Sequence, residues 1–478
     1  MNDLNNIFCL LVSPVFNPGK KNLLMMVRQK DPPLNLAMLS GWIREKGFDT
    51  AILDCGVQAE TPEAFNKILH SIYAEKKHKS IYVGFYVCTP TAHQCYDLSK
   101  IVRQIIPNCT ILAGGPHATF LPEEVILQSE VDIVVMNEGE ITLEEILSQK
   151  PLETIKGIAY LNKKGNIVQT LPRERITNLD KLPMPAYDLL EIKKYRPPIG
   201  SFIRLPSFIV SFSRGCNNNC FFCTKTIGNG GFQKSPQKIF EEINYLKTNF
   251  GIIDFVFVDD TFTAYKNSVI EFCNLLITNK TNITWHCYSR VDTIDRELLK
   301  IMKESGCHQI MYGIESFDDN VLKTIKKNIT SEQSISIIKM TQEFGISVRL
   351  SMMVGNIGDS TKACESSIKM ILKLKPDFIN VLIATPGPGT PFFKWAKNQN
   401  RIKTYDWSKY TGASAIVELN NFSEKQIYKY FRKFWVSFYF HPAIILKHLK
   451  KLTNKVALFN IKEAIIRIIT FCLQRHEK

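Results

Sequence analysis

The chain reads as an α/β protein in three parts. A doubly wound parallel sheet is expected over residues 1–150, a partial six-unit β/α barrel over 207–407, and a small, mostly helical extension over 408–478. Three observations predict this division. Short apolar runs alternate with helically spaced segments through the first 150 residues, which argues for crossover units on a parallel sheet. Three proline clusters, LPMPAYDLL, YRPPIG and RLPSF, interrupt the pattern between Pro151 and Pro206, marking residues 151–206 as a linker. The alternation then resumes at Phe208 and continues through Gly389.

Each element follows from its local pattern. IFCLLVSP (Ile7 to Pro14) is a short apolar strand followed by a loop through Asn17, Pro18 and Gly19. Leu34, Leu36, Leu39, Trp42 and Ile43 share one helix face, and Gly47 supplies the stop. TAILD (Thr50 to Asp54), SIYVGFYV (Ser80 to Val87), TILAGG (Thr110 to Gly115) and VDIVVMNEGE (Val131 to Glu140) read as further buried strands. Ligands of such sheets bind beyond the carboxyl ends of the strands. That rule aligns Ser13 to Gly19, Thr89 to Thr91, Gly114 to His117 and Glu138 to Glu140 along one edge. Inside the linker, GIAYLNKKGNIVQT predicts a small hairpin turning at Lys163 to Asn166. In the second series, FIVSFSRG leads to a cysteine loop, SPQKIFEEINYLKTNFG is a capped amphipathic helix, and DFVFVDDTFT is a strand ending in acids. TWHCYSRVD, HQIMYGIES, SVRLSMMVG and FINVLIATP are the later strands, whose carboxyl ends carry the active groups in a barrel.

Composition bounds the function. Thirteen cysteines in 478 residues, an odd count behind a start without a basic and then apolar leader, argue against a disulfide framework and for the cytoplasm. Much of the formal charge of +15 is at the end: His441 to Lys478 holds eight Lys or Arg against two Glu. This distribution does not suggest nucleic acid. No window reaches the ~18 uninterrupted apolar residues of a membrane span. The segment therefore either packs on its own domain or lies on an anionic membrane surface as a basic amphipathic helix, a peripheral contact. The aromatic run FRKFWVSFYFHPAIIL is either the core of the helical extension or the lining of a pocket for a large apolar substrate.

SRGCNNNCFFCTK sets Cys216, Cys220 and Cys223 three and two residues apart. Three thiolates at this spacing can hold three irons of one 4Fe-4S cluster and leave the fourth iron open, whereas an electron-transfer cluster takes four cysteines. A structural or zinc role is the alternative, but no second cysteine or histidine pair lies nearby, and Cys273, Cys287 and Cys307 are scattered singly. The spacing, with Phe222 before the last cysteine, resembles the radical S-adenosylmethionine (SAM) superfamily. That resemblance implies that SAM chelates the open iron through its amino and carboxylate groups and is reductively cleaved to a 5'-deoxyadenosyl radical, with Phe222 beside the adenine. An electron donor such as flavodoxin or ferredoxin is implied as partner.

The same core is matched in order by Asp259 and Asp260, SRVD with Arg290, GIES with Glu315 and Ser316, VGNIGDS from Val354 and TPGPGTPFF from Thr385. Resemblance places Glu315 and Ser316 at the methionine or ribose of SAM. Arg290 falls where a cation can steady a carboxylate, and Asp260 falls in the same layer. Each also has a plainer reading: Asp259 and Asp260 as helix caps, and Arg290 as the partner of Asp292 or Asp295. VGNIGDS departs from the common G-x-P-G-E-T form, so a contact from Asp359 is in doubt.

AGGPHATFLPEEV followed by VDIVVMNEGEITLEEIL, together with DPPLNLAMLSGWIREKGFDTAILD, resembles the cobalamin-binding domain at the amino end of many radical SAM proteins. There Gly114 and Gly115 would let the backbone approach the cofactor's nucleotide tail, with Pro116, His117, Glu138, Gly139 and Glu140 in the adjoining loops. The D-x-H-x-x-G loop that supplies a histidine to cobalt elsewhere is absent from SPVFNPGKKNLL. His117 is the chemically available substitute, although in the matching segment it is a loop residue and not an established ligand. The combined expectation is a cobalamin-dependent radical SAM enzyme that methylates an unactivated carbon of a small-molecule or lipid-like substrate through methylcobalamin. Two other readings stay open: radical cyclisation or rearrangement without methyl transfer, and a cobalamin or redox sensor without turnover. Cys9, Cys55, Cys88, Cys95 and Cys109 do not reproduce the extra cysteine set of methylthiotransferases.

Overall fold

The computed structural model describes residues 6–14, 31–198 and 200–449. β1 (Ile7–Ser13), β2 (Asp49–Asp54), β3 (Ser80–Tyr86), β4 (Thr110–Gly114) and β5 (Ile133–Val135) form a parallel sheet in the order 2-1-3-4-5. Two-sided burial explains why β1 reads as an unbroken apolar run. Ile7, Cys9 and Leu11 pack on one face with Ile43 and Leu143, while Phe8, Leu10 and Val12 pack on the other with Phe65 and Leu69.

Two expectations change here. The strand expected over Val131 to Glu140 is only Ile133–Val135, because Asn137 turns the chain out of the sheet at a φ of 64°. The linker hairpin is no free connector: β6 (Ile158–Leu161) and β7 (Ile167–Gln169) pair antiparallel beside β5, so the first sheet continues past residue 150. The turn sits where expected, with Gly165 N donating to Asn162 O at 2.9 Å. An open β5 edge would expose unpaired backbone groups, and the hairpin covers it.

Beyond the linker come β8 (Ser207–Val210), then a two-stranded ribbon of β9 (Ser213–Arg214) and β10 (Phe232–Gln233) that brackets the cysteine loop. β11 (Asp254–Phe257), β12 (Thr284–Ser289), β13 (Cys307–Glu315), β14 (Ser347–Val354) and β15 (Phe378–Ile383) follow β8 in one parallel sheet whose spatial order is their chain order. This is a six-stranded partial barrel. Its outer wall is aromatic: Phe257 and Trp285 meet edge to face at 5.6 Å under the helix Lys266–Thr278, which contributes Phe272. The helix Pro236–Phe250 starts as its sequence dictates, with the Ser235 hydroxyl accepting from Lys238 N and a left-handed Gly251 closing it.

The aromatic run near the end resolves to core. The helix Glu424–Tyr439 buries Ile427, Tyr430, Phe431, Phe434 and Phe438 against the barrel, and Tyr439 bonds the Ile379 backbone. A last helix, Pro442–Leu449, ends the described part, and residues 450–478, most of the basic tail, lie outside it. Among the described residues no helix is long and apolar enough to cross a membrane.

Several connections tie the two sheets. Linker residue Tyr195 donates to Asp54 Oδ2 of β2 at 2.9 Å, and Tyr187 donates to Glu242 of the barrel. Phe120 of the first module lies against Gly389, where a Cβ would sit 2.4 Å from its ring. After the barrel the chain returns to place Trp407, Tyr410 and Ile416 in the apolar layer of the first module.

Candidate active site

A cavity of about 390 Å³ lies between the carboxyl ends of β1, β3 and β4 and the cysteine loop. It opens where the strand order reverses between β1 and β3, the switch point at which doubly wound sheets bind ligands. Leu11, Tyr86, Gly114, Gly115 and Pro116 contribute one wall, and Glu138, Gly139 and Glu140 adjoin it. Across the space stand Arg214, Cys216, Cys223 and Asp260. Loops more than 70 residues apart thus share one mostly apolar chamber.

The cysteine loop is held at both ends. At its entry, Asp259 accepts from Phe212 N at 3.0 Å and from the Ser213 backbone and hydroxyl; burial pushes its carboxyl up to about 6 while those bonds oppose the shift. Asp259 is therefore an anchor of the loop and not a helix cap. Within the loop, Cys216 Sγ accepts from the backbone and side chain of Asn218, both at 3.4 Å, and Arg290 Nη1 stands 3.8 Å from the sulfur of buried Cys220. At its exit, Phe221 bridges Ile325 and Phe392 through backbone bonds of 2.9 and 3.0 Å. Burial, Asp260 and the two sibling cysteines push the Cys223 thiol up to about 11, so bound metal is what would hold it as a thiolate. Donors aimed at two of three sulfurs suit an anionic, thiolate-held cluster, and the residues fit one.

Arg290 takes its plainer reading, the pair with Asp292, and adds a contact to the cysteine loop. Its Nε and Nη2 grip Asp292 at 2.9 and 2.8 Å, and its remaining nitrogen reaches Cys220. Glu315 is buried at a φ of +69° and accepts from Lys327 Nζ at 2.9 Å. Gly313 leaves space beside the pair: a Cβ there would stand 2.8 Å from Glu315 Oε1 and 3.0 Å from Lys327 Nζ and would displace their side-chain ends. Lys327 also lies 5.7 Å from the ring centroid of Phe222, so Phe222 and Glu315 are brought to one place by a residue that sequence reasoning missed. Ser316 is buried too, and its hydroxyl accepts from Asp318 N in the turn that starts the next helix. Asp359 is spent on Gly355 N and Ser360 N, both at 2.9 Å, a loop-closing role.

On the first module, Gly115 has a φ of +104°, and a Cβ would meet the Tyr86 ring and Val87 O at 2.9 Å. Glycine there lets the turn after β4 pack directly on Tyr86 and Val87, which sets the position of the cavity wall that a cofactor would meet. His117, expected as a cofactor contact, does not line the cavity. Its fully buried ring meets Tyr96 Oη at 3.1 Å through Nε2 and Thr89 Oγ1 at 3.4 Å through Nδ1, with Trp407 edge-on at 5.2 Å. Both nitrogens are engaged behind the wall, so cobalt ligation by His117 is corrected to a structural role. We expect His117→Ala to lower stability by roughly 1–3 kcal/mol, as for a buried polar network left unsatisfied, and to leave the absorption spectrum of bound cobalamin unchanged. A shifted spectrum would refute the structural assignment.

Glu138 and Glu140 line the cavity but also face Arg214, which precedes the cysteine loop by two residues. Arg214 Nη2 donates to Glu140 Oε1 at 2.5 Å, Nη1 to Glu138 Oε1 at 3.3 Å, and Glu138 Oε2 accepts from linker Ile176 N at 2.7 Å. The two carboxylates raise the guanidinium's already high pKa against the opposing effect of burial. This buried triad joins the three parts of the chain.

A parallel-sheet module and a partial barrel thus present glycine turns and a cysteine triad to one chamber, an arrangement of a two-module α/β enzyme. The B12 binding domain family matches residues 23–147, and the radical SAM superfamily matches residues 210–371. An uncharacterized methyltransferase of Pyrococcus horikoshii is 34% identical over 445 residues, covering 92% of this chain and 94% of its own. The anaerobic magnesium-protoporphyrin IX monomethyl ester cyclase of Rubrivivax gelatinosus is 26% identical over 401 residues, covering 81% and 70%. Among solved structures, the cobalamin-dependent S-adenosylmethionine radical enzyme OxsB, with aqua-cobalamin and S-adenosylmethionine bound, shares the fold at a TM-score of 0.73 and 17% identity, covering 98% of this chain and 72% of that one. The chain belongs to the radical SAM enzymes that carry an amino-terminal B12-binding domain.

Proposed function

We propose that this protein is a C-methyltransferase that transfers a methyl group to an unactivated carbon of a small molecule. One observation carries the reading: Cys216 and Cys223 line the same cavity as Gly114 and Gly115, so a cluster and a corrinoid held by these residues face a common space. When bound, the cluster with SAM supplies the radical and the corrinoid supplies the methyl group. The protein's part is to hold and shield. Cys216, Cys220 and Cys223 would hold three irons of the cluster, Asn218 and Arg290 would stabilise the sulfur charge, and the Arg214 triad keeps the two walls in register. The apolar lining from Leu11, Leu36, Leu39 and Tyr86 limits water beside a reactive carbon centre.

The cyclase relative supports a second reading, radical cyclisation without methyl gain. An external one-electron donor is required in either case. Exposed Phe440, Leu446 and Leu449 favour peripheral contact with an apolar or membrane surface, which suits a lipid-like substrate.

The test is anaerobic reconstitution with cluster, cobalamin and methyl-labelled SAM, combined with extracts of cells lacking the protein. Methyl transfer predicts deoxyadenosine, S-adenosylhomocysteine and a labelled product heavier by one methylene. Deoxyadenosine with an unlabelled product selects cyclisation, and absence of deoxyadenosine leaves the sensor.

A further inference from the structure

Arg175, in the linker, is a cation beside the cysteine loop that forms no ion pair among the described residues. The other arginines of the region each meet a carboxylate: Arg173 meets Glu145, Arg214 meets Glu138 and Glu140, and Arg290 meets Asp292. Glu174, next to Arg175 in the chain, turns to Lys156 at 2.6 Å. The guanidinium is nevertheless fixed. Nη1 donates to Asn229 O at 2.5 Å and to Gly230 O at 2.9 Å, and the group lies 4.7 Å over the ring centroid of Phe232 in β10. The opposite edge, Nε and Nη2, is shut from solvent and makes no hydrogen bond among the described residues. Those two nitrogens form the side-on fork that matches a carboxylate bidentately, the same edge with which Arg290 grips Asp292. The fork lies against the chamber. A Cβ at Gly215 would meet Nη2 at 3.0 Å and Ile227 Cδ1 at 3.5 Å, and Gly215, Ile227 and Gly228 all line that space. Ile227 thus stands beside the fork on the chamber side, where a change of its rotamer opens the way.

We propose that the Nε and Nη2 edge of Arg175 is the subsite for a carboxylate of the substrate, which is therefore an acid whose apolar body occupies the chamber. Charge supports this. A shielded cation without a counterion is costly, and a monovalent carboxylate neutralises it. A phosphate monoester would instead bring a second charge into a mostly apolar space. The Nη1 bonds and the Phe232 ring hold the guanidinium in place beforehand, so little side-chain freedom is lost when the acid arrives. The proposal rests on the enzyme reading of the site and adds to it the class of substrate and the residue that reads it.

The experiment uses the full-length protein, loaded anaerobically with cluster and cobalamin, and the small-molecule fraction of an extract from cells lacking the protein. The readout is deoxyadenosine formed above the level without extract, with methyl-labelled SAM reporting on product. The fraction is tested untreated, after esterification of its carboxylates with trimethylsilyldiazomethane, after saponification of the esterified sample, and after phosphatase treatment. Esterification is expected to lower the stimulation roughly 10-fold or more, the range of a hydrogen bond to a charged group. Saponification should restore it, and phosphatase should leave it unchanged. Arg175→Met is expected to raise the amount of extract needed for half-maximal stimulation roughly 10- to 100-fold. Its iron content and its binding of cobalamin and SAM should stay within about twofold of wild type. Arg175→Lys, with the charge but not the fork, should fall between the two. Should the methionine variant fail to load iron, Ile227→Glu carries the same expectation, because it brings a carboxylate to the fork and leaves the Nη1 bonds in place. Equal stimulation by the untreated and esterified fractions overturns the proposal, as does loss of stimulation on phosphatase treatment. Cobalamin or SAM binding weakened as much as the stimulation assigns the fork to a cofactor and also overturns it. Acid-dependent stimulation without a labelled product supports the subsite and counts against methyl transfer alone.

Discussion

Replacing Cys220 by alanine is expected to give a folded protein that carries no intact 4Fe-4S cluster and releases no deoxyadenosine from SAM. Two thiolates remain for a group that needs three protein ligands, so the loss is complete and not graded. The fold should survive, because deleting one small buried sulfur costs only about 1 kcal/mol, and Arg290 keeps its grip on Asp292. Iron analysis, electron paramagnetic resonance of the reduced protein and a deoxyadenosine assay read the first effect. Cobalamin binding, held by the opposite wall, reads the second and should be close to wild type. Wild-type deoxyadenosine yield from this variant would remove the cysteine triad from the mechanism.

Arg214→Met should have the largest effect on stability. It strands Glu138 and Glu140, whose side chains are only 6% and 4% exposed, at the seam between the sheets. Removing one side of such a buried array costs about 3–5 kcal/mol, whereas replacing all its charges together is far milder. The triple change Arg214→Met, Glu138→Gln and Glu140→Gln should therefore recover most of the loss in thermal unfolding. The single variant should also bind cobalamin more weakly, since Glu138 and Glu140 line the chamber. If single and triple variants unfold alike, the triad does not tie the seam.

The contrast between these residues shows how far sequence reasoning reaches. Strand–helix alternation made both sheets legible, because a strand buried on two faces must be apolar throughout its length. The cysteine triad and Gly114–Gly115 were legible because their chemistry is local: a short spacing and a turn that rejects side chains. What escaped was pairing across long separations. NEGE read as a cofactor loop, but Arg214 lies 76 and 74 residues from its two glutamates. GIES pointed to Glu315, while Lys327 twelve residues on looked like one more lysine in KKN; its only signal was a position between two turn residues. His117 looked available to cobalt because Trp407, which closes over it, is supplied by the far end of the barrel. The linker hairpin was seen as a hairpin, but nothing in its residues says which sheet edge it covers.

The return of Trp407, Tyr410 and Ile416 to the first module has a consequence for biosynthesis. The apolar layer they complete is otherwise built by residue 167, with Phe393 and Ile402 added from beyond the barrel strands. At ~5–20 residues per second the ribosome takes on the order of tens of seconds to reach Trp407 after the sheet is made. For that interval the nascent module carries an uncovered apolar strip beside His117, and its core closes only after the barrel strands have been made.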